Sequence, residues 1–266
     1  DRVDRIPDRG PSYENLPAGV SIRTGFARPT DFIEDLSHTV RTDLSYEFTP
    51  NWKFHWASSY REAEQNFDNF FGGTWCDLNG QQITGARCEG ENWRKGYLRQ
   101  NYAWQQTINK TMSNSFDITG KFNTGIFEHQ LMLGSDWTQE NRDPKLGNYS
   151  SGSTTYYGFI NPFDPSDYSD NLPEGASKMT TTVNQHRAQN LGIFIQDLLT
   201  LTPTLKMMLG LRYDIYDFKT AATIANSKPV NLSKSYNGES LSPNIGFVWQ
   251  PVDVRSLYTS YSKSFS

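Results

Sequence analysis

Val40-Arg41-Thr42-Asp43-Leu44-Ser45-Tyr46-Glu47-Phe48, a break at Thr49-Pro50-Asn51, then Trp52-Lys53-Phe54-His55-Trp56-Ala57-Ser58-Ser59-Tyr60-Arg61: this stretch decides the fold. Its even positions are apolar or aromatic except at Thr42 and Ser58, and its odd positions are charged, polar or small. Side chains swap faces at each residue of a strand, whereas a helix repeats every 3.6 residues. Strict period 2 on both sides of Pro50 therefore predicts two strands joined by a tight turn.

The same rhythm returns along the chain. Phe116, Ile118 and Phe122 alternate with Asp117, Thr119 and Lys121. After Asn123-Thr124-Gly125, Phe127, Leu131, Leu133 and Trp137 interleave with Glu128, Gln130, Met132 and Asp136. Leu191, Ile193, Ile195 and Leu199 follow, and past Pro203 come Leu205, Met207, Leu209, Leu211 and Tyr213 opposite Lys206, Gly210, Arg212 and Asp214. Leu241, Ile245, Phe247 and Trp249 precede a turn at Pro251-Val252-Asp253, and Leu257, Tyr261 and Phe265 close the pattern. Eight strands are read at 36–48, 52–66, 104–122, 126–139, 189–199, 205–218, 240–250 and 255–265. The connections 49–51, 123–125, 200–204 and 251–254 are short, and 67–103, 140–188 and 219–239 are long.

Short turns at one end and long loops at the other are the habit of outer-membrane barrels. Aromatics fall at two heights. Phe48, Trp52, Phe122, Phe127 and Trp249 flank the tight turns, while Tyr60, Trp137 and Tyr213 lie higher on their strands. Rings favour the headgroup level, so these read as two girdles. Lys53, Arg61, Lys206 and Arg212 share the opposite parity and face a wet lumen; on lipid each would cost about 2–4 kcal/mol at mid-depth. His129 and Asp197 occupy the lipid parity near tight turns, which predicts an interfacial position or a local bulge. A secreted β-sandwich also alternates, but its loops are shorter and it has no reason to place rings at two heights.

Composition narrows the classes. Only 36% of the 266 residues are hydrophobic, and no run approaches the ~20 apolar residues of a spanning helix. A barrel strand needs apolar residues only at alternate positions, so this does not argue against membrane strands. The net charge of −4, without a basic cluster, argues against nucleic acid as a partner. Asp1-Arg2-Val3-Asp4 is charged and has no apolar core, so residue 1 reads as a mature or internal position. Cys76 and Cys88, the two cysteines, lie close together in a loop, which suits an oxidising compartment.

Several stretches then carry a resemblance. They are Asp4-Arg5-Ile6-Pro7-Asp8-Arg9-Gly10, Phe122-Asn123-Thr124-Gly125-Ile126-Phe127-Glu128-His129 leading to Leu133-Gly134-Ser135-Asp136, and Gly192-Ile193-Phe194-Ile195-Gln196-Asp197. Leu209-Gly210-Leu211-Arg212-Tyr213-Asp214 and Tyr258-Thr259-Ser260-Tyr261-Ser262-Lys263-Ser264-Phe265 complete the set. In order and spacing the chain resembles the barrel of a TonB-dependent ferric-siderophore receptor, nearest the ferrichrome (ferric hydroxamate) type. The resemblance implies an all-β fold: a segment of a transmembrane antiparallel β-barrel, about eight strands of about 22. Residues 1–266 then form part of that barrel domain, with no plug domain among them.

The resemblance further implies import of a ferric siderophore across a bacterial outer membrane by a multi-pass barrel. Energy would come from the TonB-ExbB-ExbD complex acting through a plug. Membrane lipid and lipopolysaccharide would be neighbours, and the receptor would be a monomer. It implies no enzymatic activity and no cofactor, since the siderophore holds the iron. It places a cystine, Cys76 to Cys88, across Asp77-Leu78-Asn79-Gly80, worth roughly 3 kcal/mol in the chain-entropy model. Its pocket aromatics fall near Tyr13, Phe70, Phe71, Tyr156 and Tyr157. Loops packing on one another are the competing reading of those rings.

The remaining motifs carry less. Ser260-Tyr261-Ser262-Lys263 matches S-x-x-K but sits on a strand without partner motifs. His38, His55, His129 and His186 lack ligand spacing, and Asp35, Asp164, Asp167 and Asp170 read as solvated loop residues. Two other architectures remain open at this point. One is a secreted all-β protein that binds or cleaves glycans; the other is a small closed outer-membrane barrel.

Overall fold

The computed structural model describes residues 2–5, 11, 13–151, 154–172, 178–252 and 254–263. Among these residues twelve strands form: β1 (Arg2–Arg5), β2 (Phe32–Thr49), β3 (Trp52–Trp75), β4 (Leu98–Thr124), β5 (Phe127–Ser151), β6 (Thr154–Thr155), β7 (Tyr157–Ile160), β8 (Tyr168–Asp170), β9 (Lys178–Thr202), β10 (Leu205–Ala225), β11 (Lys228–Val252) and β12 (Arg255–Ser262). The main path runs β1-β2-β3-β4-β5-β9-β10-β11-β12, and its pairs are antiparallel. Among the described residues β1 and β12 do not pair with each other, so this segment of sheet stays open.

The register realises the two-faced pattern. Tyr46, Phe54, Ile118, Leu133, Ile195 and Leu211 stand in one cross-strand row. His55, Asp117, Gly134, Phe194 and Arg212 form the next row, on the opposite face. Leu44, Leu133, Ile195 and Leu241 are exposed on the first face. An apolar patch of that extent is untenable in water and is what a sheet against lipid presents.

The girdles also report strand tilt. Tyr60, Met112 and Gln139 share a row, so Trp137 lies two residues lower. Trp137, Leu191 and Ile215 share a row, so Tyr213 lies two lower again. The line of rings therefore descends about one residue per strand relative to the hydrogen-bond rows. With ~3.3 Å per residue and ~4.8 Å between strands, that stagger corresponds to a tilt of about 35°, inside the barrel range.

The strands outrun their sequence signal at one end. The alternation predicted 52–66, 104–122, 126–139 and 189–199, whereas β3, β4, β5 and β9 continue for many residues beyond the upper girdle. Above lipid the outer face meets water, and Glu62, Glu64 and Asn66 replace apolar residues there. The ladder continues while the alternation lapses. For the same reason 219–239 is not a loop. β10 and β11 meet at a two-residue turn where Asn226 and Ser227 have φ of 50° and 61°. Positive φ at both positions is the primed turn that suits strand twist. β1, too short to show a period, adds a strand to those predicted.

His129 and Asp197 keep the lipid-facing parity, and the β5–β9 register runs unbroken from Glu128 to Leu146. The bulge alternative therefore falls. His129 Nδ1 sits 2.6 Å from an Asp197 carboxylate oxygen, its Nε2 lies 2.6 Å from the Thr124 hydroxyl, and its ring stacks on Phe122 at 4.7 Å. Both ring nitrogens of His129 thus find partners beside a tight turn, as suits an interfacial position.

Candidate functional site

At the long-loop end three segments converge on the top of β3 and β4: residues 13–31, the 76–97 loop and the β6–β8 segment. β5 leaves β4 after Trp104 pairs Gly147. β7 takes its place, Leu98 facing Ile160 and Asn101 facing Tyr157. The sheet edge thus passes from a spanning strand to a loop hairpin, with chemistry on both of its faces.

One face is a closed polar and aromatic knot. Arg28 is 3% exposed. Its Nε donates to Gln100 Oε1 at 2.8 Å, its Nη2 donates to the Ser169 carbonyl at 2.6 Å, and its backbone N–H donates to Asp31 Oδ2 at 2.9 Å. Asp170 lies 3.5 Å away, and the guanidinium covers Phe70 at 3.7 Å. Burial lowers the Arg28 pKa and raises that of Asp31. Phe70, Tyr102 and Tyr149 pack in sequence as tilted rings, at 4.9 and 4.2 Å between centroids. Phe26, Leu98 and Ile160 form a small dry core beside them, with Leu16, Val20 and Trp75 against it.

The other face carries the parity of Lys53 and Arg212, the lumen side. Phe67 and Phe71 meet edge to face at 6.0 Å. Phe71, Asn101 and Tyr157 stand in one cross-strand row. Beside that row the Arg99 guanidinium lies over two rings, 4.1 Å from Trp93 and 4.5 Å from Tyr157.

The 76–97 loop is held from below and from the side. Cys76 and Cys88 form a disulfide with Cα atoms 6.2 Å apart. Within it Cys88 N–H donates to the Gly80 carbonyl and Asp77 N–H to the Gln81 carbonyl. Tyr97 donates its hydroxyl to Asp167 at 2.5 Å, and Arg94 donates to the Ser169 hydroxyl at 2.5 Å, which ties the loop to the β7–β8 hairpin. That bond raises the Tyr97 phenol above its ordinary pKa and lowers the Asp167 carboxyl.

The residues predicted from sequence separate by face. Phe71 and Tyr157 stand together on the lumen side. Phe70 turns to the opposite face, under Arg28. Tyr156 is half-buried, and its N–H donates to the Tyr149 carbonyl. Tyr13 begins a 3₁₀ turn, but its side chain lies outside the described residues, as do Ile6 to Gly10 and Ser264 to Ser266. Arg28, Trp93 and Arg99 carry no motif in the sequence, and Asp167, expected as a solvated loop residue, instead accepts from Tyr97. Extending the β4 parity upward from Trp104 would have placed Arg99 inward. Little in the local sequence marks Arg28, whose side-chain partners lie on β3, β4 and β8.

The family model described as TonB dependent receptor-like, beta-barrel matches residues 2–266, and the chain belongs to that family. Among curated relatives, the probable TonB-dependent siderophore receptor PiuA of Acinetobacter baumannii is 24% identical over 293 residues, covering 100% of this chain and 36% of that protein. The crystal structure of PiuA superposes with a TM-score of 0.72 at 18% identity, over 98% of this chain and 38% of that one. The open form of the ferric-catecholate import receptor Fiu from E. coli K12 gives 0.71 at 15% identity, over 96% of this chain and 40% of that one. The chain thus spans little more than a third of the length of the curated relative.

Proposed function

We propose that this chain is part of a bacterial outer-membrane receptor that imports a ferric siderophore under TonB control. The observation that carries the reading is the row Phe71–Asn101–Tyr157 on the lumen face, at the end of the barrel where the loops converge. Aromatic walls over a wet lumen suit a bulky chelate that arrives from outside. The siderophore holds the iron as cargo, so no protein ligand to iron and no covalent step are needed. Further strands would close the sheet beyond β1 and β12, and a plug would fill the lumen and contact TonB-ExbB-ExbD. The receptor would be a monomer set in lipid and lipopolysaccharide. Two named relatives, a siderophore receptor and a ferric-catecholate receptor, support the ligand class and widen it beyond hydroxamates.

Uptake of radiolabelled iron under iron limitation tests this. Cells carrying the receptor take up ferric chelate in a TonB-dependent way, and Phe71→Ala with Tyr157→Ala lowers uptake roughly 10-fold or more through lost stacking. Recovery of the protein from the soluble periplasm, or uptake indifferent to both substitutions, contradicts the proposal.

A further inference from the structure

Three arginines at the mouth differ in what they bond. Arg28 has Gln100, the Ser169 carbonyl and Asp170. Arg94 has the Ser169 and Tyr97 hydroxyls. Both are fastened by acceptors and hold loops together. Arg99 instead touches ring faces, Trp93 at 4.1 Å and Tyr157 at 4.5 Å. Its Nε is buried without a hydrogen-bond partner, and among the described residues no carboxylate forms an ion pair with it. A guanidinium that lies against two rings spends its faces on apolar partners and keeps its N–H donors for another group. A cation whose donors find no acceptor among the described residues is poised for an acceptor that comes from elsewhere.

We infer that Arg99, clasped by Trp93 and Tyr157, is a specificity residue that selects ferric chelates bearing net negative charge at their iron-binding oxygens. The inference rests on the receptor reading above and names the charge class of its substrate. A ferric tris-catecholate is trianionic and displays phenolate oxygens that accept from a guanidinium edge, while its rings match Trp93, Tyr157 and Phe71. Ferric citrate offers negative oxygens without the rings. A ferric tris-hydroxamate also presents oxygen acceptors but is neutral overall, so it offers the Arg99 cation hydrogen bonds without net charge attraction. A side chain that only glued the 76–97 loop to β7 would treat all three alike.

The test uses the whole receptor purified from outer membranes in detergent. Dissociation constants are read by tryptophan fluorescence for a synthetic ferric tris-catecholate, ferric citrate and a ferric tris-hydroxamate, at low and high salt. The expected order of affinity is tris-catecholate, then citrate, then hydroxamate. Arg99→Gln is expected to weaken the tris-catecholate roughly 10–100-fold, to abolish its salt dependence, and to shift the hydroxamate less than about 3-fold. Arg99→Lys keeps the charge without the flat fork and falls between. Equal weakening of all chelates by Arg99→Gln, or none, overturns the inference, as does a wild type that prefers the neutral complex. A wild type that binds none of the three removes the siderophore reading itself, whatever the variants do.

Discussion

Gly192 lies where the side chain of Arg212 crosses β9. From β10 the guanidinium reaches Asp136 on β5 with contacts of 2.6 and 3.0 Å, and it also grips Asp214. Any Cβ at Gly192 would collide with it. The glycine is present for space. Gly192→Val is therefore expected to push Arg212 aside and leave two lumen carboxylates unmatched. The three side chains are about a third exposed or less, so the loss is modest, about 1–3 kcal/mol. Urea unfolding of the receptor from lipid vesicles measures it. An unchanged midpoint would mean the bridge contributes nothing.

At the scale of elements, the β7–β8 hairpin stays in place by bonds to other loops, and one of them titrates. Tyr97 donates to Asp167. The Asp167 carboxyl is lowered, so its contribution is present above the ordinary carboxylate value of about 3.9 and is lost as pH falls below it. The Tyr97 phenol is raised, so its contribution is present below the ordinary value of about 10 and is lost as pH rises through the raised one. Hydrogen exchange across residues 157–170 is expected to be slow between those limits and faster outside them. Tyr97→Phe should flatten the acid-side change, and a wild-type profile indifferent to pH would remove the bond from the account of docking. The β10–β11 hairpin behaves differently, since its register and primed turn are local.

Across the whole molecule one prediction governs the rest. Spin labels at Phe54, Leu131 and Leu209 should meet oxygen dissolved in lipid, and labels at Lys53 and Asp117 should meet a water-soluble nickel reagent. These positions occupy opposite faces of one continuous register. The same accessibility for both sets would refute a membrane-spanning sheet. The stagger of Tyr60, Trp137 and Tyr213 gives the same geometry from a second direction, since rings held at one depth must step down tilted strands.

Much of this could be read along the chain because lipid imposes a rule on each strand separately. Leu131 must be apolar and Arg212 must not face hydrocarbon, whatever their neighbours are, so period 2 revealed the strands, the tight turns and the two girdles. Where water bathes both faces that rule lapses, and the upper halves of β3, β4, β5 and β9 left no alternation to find. The mouth escaped local reading for a related reason. Phe71 and Tyr157 show in sequence as loop aromatics, but their shared face comes from β4 exchanging β5 for β7 as its neighbour. The burial of Arg28 and the rings around Arg99 depend on segments distant in sequence meeting in space, and only the folded chain brings them there.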